Sequence, residues 1–94
     1  MATYKVAHIH EQGVDMIIVP LNSSFGSRSN AEQNEIITGL EMCASSAGLR
    51  GTVIPVWREG SGHRFIAPQP WHPFFRSFSY GRILANINRE LTCG

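Results

Sequence analysis

Lysine is almost missing from this 94-residue chain: Lys5 is the only one, set against seven arginines. Aspartate is as scarce, with Asp15 alone, and charged residues make up only 16% of the sequence. The formal net charge is +1, so bulk electrostatic attraction to nucleic acid is excluded as the basis of function. A light charge load on a small, surface-rich domain leaves apolar surface to be covered, which predicts self-association as a homodimer. There are two cysteines, Cys43 and Cys93, and their spacing fits no zinc pattern. No apolar run approaches the roughly 18 residues that span a bilayer; the best, Met16 to Leu21, is short and holds Pro20. The opening Met-Ala-Thr-Tyr-Lys has no signal-peptide pattern. Together these predict a cytoplasmic protein away from the membrane, with both cysteines as thiols.

Motifs of catalysis are missing as well. There is no Gly-x-Ser-x-Gly elbow, no His-Glu-x-x-His helix, no phosphate-loop spacing and no dinucleotide fingerprint. No pair of carboxylates is spaced for acid–base work. No cofactor is predicted, and the chain reads as a binding protein before an enzyme.

What is present is a pattern of strands, turns and helices within a single small α+β domain. Thr3–His10 and Val14–Leu21 read as a hairpin closed at Gly13, a residue free to take positive φ. Met16-Ile17-Ile18-Val19 is apolar at every position, which predicts a central strand buried on both faces. Ser29-Asn30-Ala31-Glu32 has capping-box spacing, opening a helix that runs to about Ala47 and ends at Gly48. Its apolar stripe is Ile36, Leu40, Cys43 and Ala47, joined by Ile37 and Ala44. Gly39 weakens this helix and predicts a close approach to the sheet.

A second hairpin follows, Gly51–Arg58 and His63–Ala67, turning at Glu59 to Gly62. Pro55 cannot donate to a ladder, which predicts an edge strand or a bulge. Residues 72–92 read as helical, since Tyr80, Leu84, Ile87 and Leu91 repeat at helical spacing, with Ser79 and Gly81 as points of kinking or division. The expected order is therefore β-β-α-β-β-α: four mainly antiparallel strands with two helices on one face. Val6-x-x-Ile9-x-x-x-Gly13 overlays Val53-x-x-Val56-x-x-x-Gly60, which suggests repeat halves at 1–48 and 49–94.

Charge divides unevenly between those halves. Residues 1–47 carry two cations against five carboxylates, a net −3, and residues 48–94 carry six arginines against two glutamates, a net +4. The halves attract each other, or the second faces an anionic partner; arginine suits bidentate carboxylate or phosphate contacts.

Two loops enter the helices. The first, 22–29, offers Ser24, Ser27, Arg28 and Ser29 near free helix N–H groups. The second, 68–75, is stiffened by three prolines and carries Trp71 and His72. If both open onto one cleft, it would hold a small anionic or aromatic ligand, with His72 the one acid–base candidate. Against this stands the reading of Trp57, Trp71, Phe74, Phe75 and Phe78 as interface anchors of an interaction domain. His8 and His10 share one face of a strand and are metal candidates lacking a third ligand. Trp57, Arg58, His63 and Arg64 interleave aromatic and basic groups on one hairpin, a pattern seen in single-strand binders, but no RNA-recognition consensus accompanies them.

Overall fold

The computed structural model describes residues 2–93. Strands β1 (Ala2–Glu11) and β2 (Val14–Leu21) form the first hairpin. Its two-residue turn has Gln12 at φ 49° and Gly13 at φ 78°, the doubly left-handed geometry that matches strand twist. A one-turn 3-10 segment, Ser23–Ser27, leads into helix α1 (Asn30–Ser46). The Ser29 hydroxyl accepts from the Glu32 N–H at 3.2 Å, and the Glu32 carboxylate accepts from the Ser29 N–H at 3.2 Å, the reciprocal cap that the spacing predicts. Gly48 takes φ 79° just beyond the helix.

Strands β3 (Thr52–Glu59) and β4 (Gly62–Phe65) form the second hairpin. Gly60 sits at φ 59° in its turn. Gly51, at φ 135°, lies so close to the Asp15 backbone that a Cβ would stand 2.6 Å from its carbonyl oxygen.

The sheet has five strands in the order β4-β3-β2-β1-β5, so β2 is central, as its unbroken apolar run implies. It corrects the four-strand expectation in three ways. First, β2 and β3 pair in parallel, with Ile17 beside Val53 and Val19 beside Pro55; the other pairings are antiparallel. Second, the helices lie on opposite faces. Val6, Ile17, Val19 and Val53 pack against Leu40 and Ala44 of α1. Ala7, Met16, Ile18, Ile54 and Val56 pack against Phe75 and Ile83. A strand apolar at every position needs a cover on both sides, and each helix supplies one.

Third, the segment expected to be helical over 72–92 is broken. A 3-10 turn (Gln69–Trp71) runs into α2 (His72–Ser77), and Ser79 starts a new short helix, α3 (Tyr80–Ala85), by accepting from the Arg82 N–H at 3.3 Å. The chain then returns as strand β5 (Arg89–Cys93), antiparallel to β1. The Asn88 side chain extends that ladder: its amide N–H₂ donates to the His8 carbonyl and its oxygen accepts from the His8 N–H, both at 2.9 Å. Leu91 of β5 is fully buried, whereas Leu84, assigned to the same helical stripe from the sequence, is 44% exposed.

Pro55 sits in β3, which has a neighbour on both sides, not at an edge. Its carbonyl accepts from the Ile66 N–H at 3.1 Å, so its ring nitrogen also faces the β4 side, level with Ile66, where β4 has ended. Gly39 makes no close approach: a Cβ there would meet nothing within 4 Å.

Cys43 and Cys93 are joined by a disulfide, with Cα atoms 5.5 Å apart. This corrects the expectation of thiols. The bond ties the end of edge strand β5 to α1, the helix that covers this face of the sheet. Among the described residues no helix is long and apolar enough to cross a membrane.

Candidate functional site

The two loops singled out in the sequence border one hollow. A cleft of about 650 Å³ is lined by Arg28 from the first loop, His72 and Arg76 from α2, and His63 to Ile66 from β4. Trp57, Gly26 and the first turn of α1, with Asn30 and Gln33, complete it. Its size falls in the range of small-ligand sites.

Each wall is held by its own sequence. Asn22 caps the 3-10 turn by accepting from the Ser24 N–H at 3.0 Å. Phe25 is buried against Trp57, ring centroids 5.0 Å apart. The Phe25 carbonyl accepts from the Arg28 N–H at 3.2 Å and from the Gln33 side-chain amide at 2.9 Å, which fastens the loop to α1. Gly26 lies on the edge of the Trp57 indole, where a Cβ would collide with Nε1. That nitrogen is buried and, among the described residues, has no hydrogen-bond partner.

On the opposite wall, His72 Nε2 lies 2.9 Å from the Ala67 carbonyl and His63 Nε2 lies 2.9 Å from the Phe75 carbonyl. A carbonyl can only accept, so both Nε2 atoms carry a proton. The two bonds fasten β4 and the proline-rich loop to α2. Phe65 packs edge-on to His72 and tilted against Phe75, at 5.2 and 5.5 Å.

The lining is cationic. Arg28, Arg64 and Arg76 make it so, His63 and His72 stand beside them, and among the described residues no carboxylate contributes. Arg28 has Glu32 at 3.8 Å and Arg64 has Glu59 at 3.1 Å; Arg76 has no ion pair among the described residues. Both pairs are exposed, so each holds its arginine only weakly and a bound anion can compete for it. Hydrogen bonds from the Ser29 backbone and hydroxyl hold the Glu32 carboxyl below the usual carboxylate range, and Arg28 acts in the same direction.

The other residues expected at the site go elsewhere. Ser27 donates its hydroxyl to the Ser24 carbonyl at 2.8 Å, and Ser29 is engaged in its cap. Ser24 lines a separate hollow with Tyr4 and Ile36. Trp71 packs edge-on to Phe74 at 5.6 Å, in the core between the sheet and α2. Of the five interface candidates, Trp57 is 6% exposed and Phe75 0%, so both are inside the chain's own core. Trp71, Phe74 and Phe78 are half-buried in the cluster that holds Phe75. Buried under the first loop, Trp57 offers no open face on which a base could stack.

His8 and His10 do share a face of β1, with separate partners. His8 Nε2 donates to the Arg50 carbonyl at 2.8 Å, and His10 Nδ1 meets the Asp15 carboxylate at 2.6 Å. The His10 hydrogen bond draws the Asp15 carboxyl below its ordinary value. No group of three or more metal-ligating side chains gathers among the described residues.

Of the lining residues that the sequence does not assign to this cleft, three bear arginine or histidine side chains: His63, Arg64 and Arg76. In the sequence, His63 and Arg64 fit a nucleic-acid pattern, and His63 is also a candidate third ligand for a metal at His8 and His10. Arg76 stands four residues after His72, a helical spacing that puts both on one face, and this was the available signal. Comparison with protein families, with characterised proteins and with solved structures finds no match to this chain.

Proposed function

We propose that this chain is a binding domain for an anionic ligand, taken into the cleft between the 22–29 loop, strand β4 and helix α2. One observation carries the reading: three arginines and two histidines converge on a hollow with no carboxylate in its lining. Clustered guanidinium groups repel one another, and a bound carboxylate or phosphate relieves that repulsion through paired N–H donors. Catalysis is not part of the proposal, because no serine, cysteine, aspartate or glutamate lines the cleft. His72 there is a donor and shape-forming group fixed by Ala67.

A thermal-shift screen of phosphate, pyrophosphate, citrate and acidic dipeptides tests this. Some members raise the melting temperature of the wild type and leave Arg76→Ala unmoved. Both proteins melt alike without ligand, since Arg76 is exposed. A screen in which nothing stabilises the wild type, or in which Arg76→Ala responds equally, overturns it.

Self-association is the second reading, supported by the open sheet edges at β4 and β5; sedimentation over a concentration series decides it. As to location, the cytoplasm expected from the sequence sits poorly with a disulfide, a bond of oxidising compartments. We favour an oxidising setting, tested by counting free thiols in protein extracted from its source under alkylating conditions.

A further inference from the structure

Four consecutive residues of one strand, His63 to Ile66, line the cleft. Neighbouring residues of a strand face opposite sides of a sheet, so a hollow touched by all four runs alongside the strand and not over either face. Strand β4 is an edge, with β3 on one side only. The Ile66 N–H donates to the Pro55 carbonyl, in the register that sets Trp57 opposite Arg64 and Val56 opposite Phe65. Residues of an antiparallel pair alternate between those that exchange hydrogen bonds and those that do not. Ile66 and Arg64 therefore point their backbone groups at β3, and His63 and Phe65 turn theirs outward, towards the cleft. Among the described residues neither His63 nor Phe65 uses its N–H or C=O in a bond outside the ladder.

We infer that the ligand of this cleft is an extended peptide segment with acidic side chains, added to β4 as a further strand. This rests on the anion-binding reading and names the ligand class for the same site. The exposed edge offers two N–H donors and two C=O acceptors. A phosphodiester group has only acceptors for the former and nothing for the latter, and inorganic phosphate is too short to reach both residues in ladder register; a peptide answers both. A strand laid beside β4 sends alternate side chains to the two faces of the sheet. On the α1 face they meet Arg64, opposite Trp57 in the ladder, and Arg28. On the α2 face they meet His63, His72 and Arg76. Cations thus stand on both sides, so acidic residues are matched in either register and basic ones are repelled.

The test uses the full chain, labelled for NMR, with three probes: a capped pentapeptide alternating glutamate and valine, the same peptide N-methylated at its interior amides, and inorganic phosphate. The first peptide saturates its site, moves the His63 and Phe65 amide protons downfield and slows their exchange with solvent. N-methylation leaves charge intact and removes the ladder donors, so it weakens binding about tenfold or more. Equal binding of the two peptides overturns the inference. So does a phosphate response at the Arg28, Arg64 and Arg76 side chains with no peptide binding, which leaves the anion reading standing. If no probe perturbs those arginines, both fall. Protected His63 and Phe65 amides without peptide, in a chain that sediments as a dimer, assign the edge to a second copy and also overturn it.

Discussion

Replacing Cys43 and Cys93 together by serine is expected to lower stability by about 4 kcal/mol without changing the fold. The disulfide closes a loop across a sequence separation of 50. In the chain-entropy description such a link removes about 14 cal/mol/K from the unfolded ensemble, hence about 4 kcal/mol at 25 °C. Native contacts around the bond survive its loss, because β5 remains paired to β1 over Ala2–Val6, Leu91 remains buried, and Asn88 still bridges to the His8 backbone. The effect therefore acts on the unfolded chain. A domain of this length shifts its melting temperature by roughly 4–8 °C per kcal/mol, so the double variant should melt on the order of 20 °C lower. Against a total stability of roughly 5–15 kcal/mol, that is a large share. Circular dichroism at 10 °C checks that the fold is retained, and a thermal scan reads the shift; wild type with reductant should follow the variant. A shift under about 5 °C, or two thiols titratable in the native protein before reduction, would refute the reasoning.

Other perturbations have definite signs. Gly39→Ala should stabilise by roughly 0.5–1 kcal/mol in urea denaturation, because the position is helical, exposed and unobstructed and alanine is the better helix former. Phe75→Ala should destabilise by about 3–5 kcal/mol, since Phe75 is fully buried and holds together the aromatic group of Phe65 and Phe74. Ser29→Ala should cost about 1 kcal/mol at neutral pH through loss of the cap. The same substitution should alter the acid limb. The Glu32 carboxyl is held below its reference value of 4.5 in the folded chain, first by the Ser29 backbone and then by the Ser29 hydroxyl. Its ionised form therefore adds stability above that value, and the gain is lost as pH falls through the lower folded value. Without the hydroxyl, stability should fall less steeply with pH below about 4.5; an unchanged slope would count against the cap's role.

Local features were the most legible. Strand β2 was read with its observed bounds, and the α1 cap, both hairpin turns and the entry loops were visible because each depends on a few adjacent residues. Long-range pairing was not. Leu91 continues a helical period begun at Tyr80, and only the vacant edge of β1, remote in sequence, turns residues 89–93 into a strand. The cover on both sheet faces was implicit in Met16 to Val19, since a strand apolar throughout cannot lie in a sheet with helices on one side only. The parallel pairing of β2 and β3 comes instead from the connection, because α1 carries the chain back to the starting end of β2 before β3 begins. The disulfide needed β5 in place before Cys43 and Cys93 became neighbours. At the cleft, Arg28 and His72 were found through loops that lead into helices. Arg76 follows from His72 by helical spacing, whereas Arg64 joins them only because the β3–β4 hairpin and α2 pack together, a contact no local pattern encodes.

Arg28, Arg64 and Arg76 are proposed to act together on one anionic ligand. Titration of inorganic pyrophosphate into the protein, followed at the arginine Nε signals by NMR, addresses it directly. Saturable shifts at those three side chains with one common dissociation constant, and none at Arg50 or Arg89, which lie outside the cleft lining, are the predicted result. Shifts spread evenly over all the arginines, or none at any concentration, would contradict it.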